Sequence, residues 1–199
     1  MKPTNPRLFL IVLAALFLLA GIARARPGFY LRPLVQYSQV SSELKSNFTA
    51  GGGLAAGIAW GAEQKFSTGL EISQTDFEGD YDTKWESPFH ARFTRASCKV
   101  TALLPSFRYT FGTKTQRLRP YVEGLLGYSV VTLDANNTDL SGLSLTGGLG
   151  VGVNYQLADS VFLETGYRYV RSTTPTDLLY GYDMHYNAQI FILAIKFSL

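Results

Sequence analysis

S-G-L-S-L-T-G-G-L-G-V-G-V-N-Y-Q-L, from Ser141 to Leu157, separates into two faces when every second residue is taken. Leu143, Leu145, Gly147, Leu149, Val151, Val153, Tyr155 and Leu157 make one face. Ser144, Thr146, Gly148, Gly150, Gly152, Asn154 and Gln156 make the other. Side chains alternate across a strand, so this is a long strand with one apolar face and one polar face built from very small residues. A polar face meeting open water would carry Lys and Glu, which stay hydrated and discourage edge pairing. Glycines and hydroxyls suit a crowded interior instead, with the apolar face turned towards lipid.

The same period of two recurs on both sides of this stretch. Phe29, Leu31, Pro33, Val35 and Tyr37 oppose Arg32, Gln36 and Ser38; Leu54, Ala56, Ile58 and Trp60 oppose Gly53, Ala55, Gly57 and Ala59. Phe66 to Gln74, Thr101 to Phe111, Pro120 to Val130, Val161 to Tyr169 and the terminal Phe191 to Leu199 repeat the pattern, for eight strands in all. Gly61-Ala62-Glu63, Gly112 to Leu118 and Ala158-Asp159 are short connections. Ser41 to Thr49, Asp76 to Thr94, Asp134 to Asp139 and Arg171 to Met184 read as the loops of the opposite end. Short turns on one side and longer loops on the other predict an all-β, eight-stranded, antiparallel up-and-down transmembrane barrel.

A soluble barrel or sandwich also alternates, with its apolar face inward. Two features favour the membrane. The polar faces carry isolated mid-strand charges of both signs, Arg32, Glu71, Arg108, Glu123, Glu164, Arg168 and Lys196, where a water-facing surface would be charged along its length. Outward aromatics gather near the short turns, at Phe29, Trp60, Phe66, Phe111, Tyr155 and Phe197, as an interfacial girdle would. Pro105 falls mid-strand and cannot donate a ladder hydrogen bond, so a bulge or local break is expected there. Leu104 and Leu125 point inward by parity, which predicts a bulge or an apolar patch in the lumen.

Residues 1–25 read as a signal peptide: Lys2 and Arg7, an apolar run from Leu8 to Ile22, and Ala23-Arg24-Ala25 as the small-x-small cleavage pattern. The barrel is then residues 26–199. Of 18 basic and 15 acidic residues, three basic ones (Lys2, Arg7, Arg24) and no acids fall in the leader, leaving a mature chain of zero formal charge. No nucleic-acid footprint survives that subtraction. Cys98 is the single cysteine, so no intrachain disulfide can form.

The mature chain resembles the small outer-membrane β-barrel family, the type of the OmpA barrel domain, OmpX and the opacity proteins. The carriers are P-Y-V-E-G-L-L-G-Y at 120–128, G-G-L-G-V-G-V-N-Y-Q-L at 147–157, F-L-E-T-G-Y-R-Y at 162–169 and the terminal F-I-L-A-I-K-F-S-L. The resemblance implies the outer membrane of a Gram-negative-type bacterium, outer-membrane lipid as the solvent of the apolar face, and a monomer. It also implies recognition of the last strand by the outer-membrane assembly machinery. Phe191, Leu193, Ile195 and Phe197 keep that strand's alternation, although the chain ends on Leu199 where the family has an aromatic.

Chemistry is sparse. His90, His185 and Cys98 lack zinc-ligand spacing. Asp76, Glu78, Asp80 and Asp82 form an acidic run without a complete ligand pattern for a hard cation. The glycines of 147–152 lie within a strand and precede no helix, so they do not cradle phosphate in the manner of a nucleotide-binding loop. No catalytic, cofactor-binding or metal residue is therefore assigned, and no cofactor is expected. The leading expectation is a non-enzymatic structural protein, with adhesion to host or surface ligands through its loops as the family resemblance implies. Tyr81, Trp85, Phe89 and Phe93, with Tyr180 and Tyr182, suit such contacts. Two alternatives are carried. One is a lipid-A-modifying enzyme, for which Ser172, Thr173, Asp183 and His185 lie near one rim without matching a family motif. The other is a narrow ion channel, in which the lumen charges would gate rather than pair.

Overall fold

The computed structural model describes residues 28–40, 49–79, 96–135, 138–173 and 186–199. Eight strands follow one another: β1 Phe29–Val40, β2 Thr49–Trp60, β3 Phe66–Gly79, β4 Ala96–Thr110, β5 Leu118–Ala135, β6 Thr138–Ala158, β7 Val161–Ser172 and β8 Tyr186–Ser198. Each pairs antiparallel with its chain neighbours, and β8 returns to β1 to close the barrel. Closure removes every sheet edge from the membrane region, which a lipid solvent demands because it cannot satisfy free backbone groups.

The registers fix the barrel's stagger. A line of directly paired residues runs Tyr30, Gly57, Gly69, Ser106, Leu125, Gly148, Val170, Ala188 and meets β1 again at Val40, ten residues from its start. With eight strands, that shear tilts them by about 40° from the usual strand rise and spacing. The interior of such a barrel is just wide enough for side chains to fill.

The expected faces are where parity places them. Leu126, Leu149, Val151, Leu157 and Leu193 stand exposed on the outside, while Glu71, Thr146, Glu164 and Arg168 are buried inside. Trp60 stacks on Phe66 with centroids 4.9 Å apart; Phe66 meets Tyr109 at 5.1 Å, and Tyr109 meets Phe111 edge-on at 4.9 Å. The girdle is thus continuous across β2, β3 and β4.

Two local expectations change, both at the long-loop end. The stretch Asp134 to Asp139 is not a broad loop: β5 and β6 stay paired up to Ala135 and Thr138, because β4 backs the stem through Ala96↔Ala135 and Val100↔Val131. For the same reason β3 and β4 extend to Gly79 and Ala96, so Asp76 and Glu78 belong to a strand. About ten residues cross a membrane at barrel tilt, so β5 and β6, at 18 and 21 residues, project well beyond it. At Pro105 the expected local break is present, without a bulge. The proline keeps register opposite Leu70, and pairing to β5 simply lapses between Leu103↔Tyr128 and Ser106↔Leu125. Gly127 lies in that gap, where a Cβ would come within 2.9 Å of the Pro105 ring. The register shift falls instead between Gln156 and Ala158, at the turn into β7.

Leu104 and Leu125 do form an apolar patch, with Ala102. A second cluster of Val40, Phe77, Val100 and Val131 lies at the long-loop end, and a third joins Leu34 and Val170 to the inward face of β8. The lumen is therefore packed with side chains, apolar ones included.

Candidate functional site

The centre of the lumen holds three arginines and three glutamates, set inward by strand parity on five strands, with β7 supplying both Glu164 and Arg168. Arg32 (β1) donates to Glu71 (β3) at 2.6 Å and to Glu164 (β7) at 2.5 Å. Arg108 (β4) donates to Glu164 at 2.6 Å and to Glu123 (β5) at 2.8 Å. Arg168 (β7) donates to Glu71 at 2.7 Å and bonds Glu123 through its Nε. The six charges form a closed ring in which signs alternate: Arg32, Glu71, Arg168, Glu123, Arg108, Glu164 and back to Arg32. Arg32 also lies 3.9 Å from Glu123 across the ring. Every carboxylate is flanked by two guanidiniums and every guanidinium by two carboxylates, the condition under which buried charge is tolerated.

Two tyrosines complete the plug. The Tyr121 hydroxyl donates to Glu164 at 3.2 Å, and the Arg108 guanidinium lies 3.8 Å above the Tyr121 ring. The small residues of the opening stretch make room for these groups. A Cβ on Gly150 would stand 2.9 Å from both Arg168 and Glu123, and one on Gly152 would strike the Tyr121 ring at 2.5 Å. Gly57 and Gly69 give the same room to Tyr30, whose ring sits 4.5 Å below the Lys196 ammonium. Of the seven mid-strand charges, Lys196 stays outside the ring. On the long-loop side of the ring there is a cavity of about 20 Å³ lined in part by Gln36, Thr75, Thr146 and Arg168. That is room for a single water rather than a column of them.

The hydroxyls of the hydrolase alternative are already engaged. Ser172 is buried, and its Oγ donates to the Thr173 carbonyl at 2.9 Å. The Thr173 Oγ accepts from the Leu145 backbone N–H at 3.1 Å, and its own N–H binds the Leu145 carbonyl at 2.8 Å. Asp183 and His185 lie outside the described residues, as do His90, Asp80, Asp82, Tyr81, Trp85, Phe89, Phe93, Tyr180 and Tyr182. Among the described residues no group of three or more His, Cys, Asp or Glu is placed to hold a metal ion.

An apolar exterior, a girdle, a closed antiparallel ladder and a charge-plugged lumen are the features of a small transmembrane barrel. The sequence matches, over residues 8–197, the family described as the outer membrane protein beta-barrel domain. The chain belongs to that family. It is an outer-membrane protein, and outer-membrane lipid is the environment of its apolar face. No curated protein matches the sequence significantly. Among solved structures, the fold is similar to Neisserial surface protein A, at 18% identity and a TM-score of 0.63, covering 86% of this chain and 97% of that one. It is also similar to the outer membrane enzyme PagL, at 14% identity and TM-score 0.54, covering 84% and 99%. Ail, the attachment invasion locus protein of Yersinia pestis, solved with the heparin analogue sucrose octasulfate, matches at 9% identity and TM-score 0.53, covering 86% and 99%. At such identities the likeness is one of fold.

Proposed function

We propose that this family member is a non-enzymatic barrel that, after removal of residues 1–25, anchors adhesive loops at the cell surface, with its short turns towards the periplasm. The observation that carries the reading is the closed charge ring. It fills the lumen with paired side chains, which supports a barrel closed to water, and separately the Ser172 and Thr173 hydroxyls each have a backbone hydrogen-bond partner. Function is then left to the segments beyond the strands. The connections at 41–48, 80–95 and 174–185 are long, and the aromatics of the last two suit protein or glycan contact. Two barrels of similar fold, a Neisserial surface protein and an attachment protein from Yersinia pestis, carry names in keeping with this role.

Display of the protein on a non-adherent Gram-negative strain should raise binding to cultured host cells above the empty-vector control. Replacing Trp85 and Phe89 by serine should lower it while leaving heat-modifiable gel mobility intact. Adherence equal to the control would remove the adhesive part of the reading. The enzymatic alternative is separated by weighing lipid A from cells carrying the wild type, His185→Ala or the empty vector. Identical masses are expected in all three, and an acyl chain lost only when His185 is present would make the protein a lipid-A hydrolase.

A further inference from the structure

The aromatic girdle is uneven around the barrel. Trp60, Phe66, Phe107, Tyr109 and Phe111 form one connected cluster at the short-turn end of β2, β3 and β4, with Phe107 6.3 Å from Trp60 and 6.1 Å from Phe66. The turns just beyond this cluster carry cations. Lys65 directly precedes Phe66, and its carbonyl accepts from the Thr110 N–H at 2.7 Å, which fixes it beside the end of β4. Lys114 follows Phe111 by three residues, and Arg117 comes three further on. The turn between them is closed on itself. The Gln116 N–H donates to the Thr113 carbonyl at 3.2 Å, the Thr113 N–H donates to the Gln116 side chain at 3.1 Å, and the Thr113 and Thr115 hydroxyls bond at 2.9 Å. Lys114 and Arg117 are left exposed, and neither pairs with a carboxylate among the described residues. Lys65 has Glu63 at 3.9 Å, so three cations face one acid in this sector.

We propose that this sector selects anionic phospholipid in the leaflet at the short-turn end, with acyl chains against the aromatic cluster and headgroups against Lys65, Lys114 and Arg117. Rings of this kind settle at the headgroup level of a bilayer. Residues one to three positions beyond them therefore stand at the depth of the lipid phosphates, where basic side chains are drawn to an anionic leaflet. A soluble acidic chain would meet the cations and leave the rings unused, whereas a lipid engages both. A zwitterionic lipid carries its own cation beside its phosphate and gains less from these three. The ligand is a surface of many headgroups, so the cations act as a row and need not converge on one phosphate.

The chain has two tryptophans, Trp60 and Trp85, so in a Trp85→Phe background the fluorescence of Trp60 reports the lipid beside the cluster. The full-length barrel is folded into vesicles of phosphatidylcholine and phosphatidylglycerol, with brominated, indole-quenching acyl chains on one lipid or the other. At low salt Trp60 should favour phosphatidylglycerol about fivefold, the scale of a single basic side chain at an anionic surface. The preference should fall at about 1 M salt, where the screening length is about 3 Å. Lys65→Gln, and Lys114→Gln with Arg117→Gln in the exposed turn, should each reduce it, and the triple variant should abolish it. Lys99→Gln removes an exposed cation at the long-loop end and should leave it unchanged. Heat-modifiable mobility identifies the folded variants. Three results would overturn the proposal: equal quenching by the two lipids in the otherwise wild-type barrel, a preference that survives in the folded triple variant, or the same loss on Lys99→Gln.

Discussion

Glu164→Ala should lower the unfolding free energy by about 3–5 kcal/mol, the usual cost of removing one partner from a buried ion pair. Glu164 is fully buried (0% exposed) and receives Arg32, Arg108 and the Tyr121 hydroxyl. Its loss opens the ring at one point. Arg108 then keeps Glu123 alone, and Arg32 keeps Glu71 with only the more distant Glu123, 3.9 Å away, beside it. Glu164→Gln preserves the volume and one acceptor and should fall between alanine and wild type. Denaturant titration of the folded barrel in micelles reads both. An unmoved midpoint for Glu164→Ala would mean that water replaces the carboxylate at little cost and that the lumen is wet.

Leu149→Arg is expected to be comparably severe for the opposite reason. Leu149 is 75% exposed and stands midway along the outward apolar run from Leu143 to Leu157. In water an arginine there would change stability by less than about 0.5 kcal/mol. At the midplane of a bilayer it costs about 2–4 kcal/mol, falling to about 0–1 near the interfaces. Leu143→Arg, at the end of the same run, is therefore the control and should cost less. Folding into phospholipid vesicles at graded denaturant measures the pair. Equal and small effects at both positions would contradict a lipid-facing exterior.

Most of the fold was legible because parity is a local property. Once Leu149 is outward, Gly150 is inward, and the small residues of β6 announce a crowded interior before anything is known of what crowds it. The seven inward charges were legible for the same reason. Their partnerships were not. Arg32 and Glu164 are 132 residues apart and meet only because the ten-residue stagger brings β1 and β7 to one level. Stagger is a sum over eight registers, and no single strand carries it. Lys196 illustrates the consequence: parity puts it inside with the others, and register leaves it below them, over Tyr30. The tyrosine plugs were missed, although Tyr30 and Tyr121 share the parity of Arg32 and Glu123. The signal was an inward tyrosine facing inward glycines, Gly57 and Gly152 on the adjacent strands. The tip of the β5–β6 stem reads as a loop in the sequence because Asp134 and Asp139 are as polar as any loop. Beyond the membrane a strand need not be apolar, and pairing to β4 alone distinguishes the two.

Planar-bilayer recording of the refolded full-length barrel tests the central claim, a lumen closed by its own ring of paired charges, most directly. The account predicts a silent bilayer, with no steady unitary current at any holding potential that the lipid withstands. Reproducible unitary steps, with ion selectivity altered by Arg168→Ala, would show that the ring lines an open path and would contradict it.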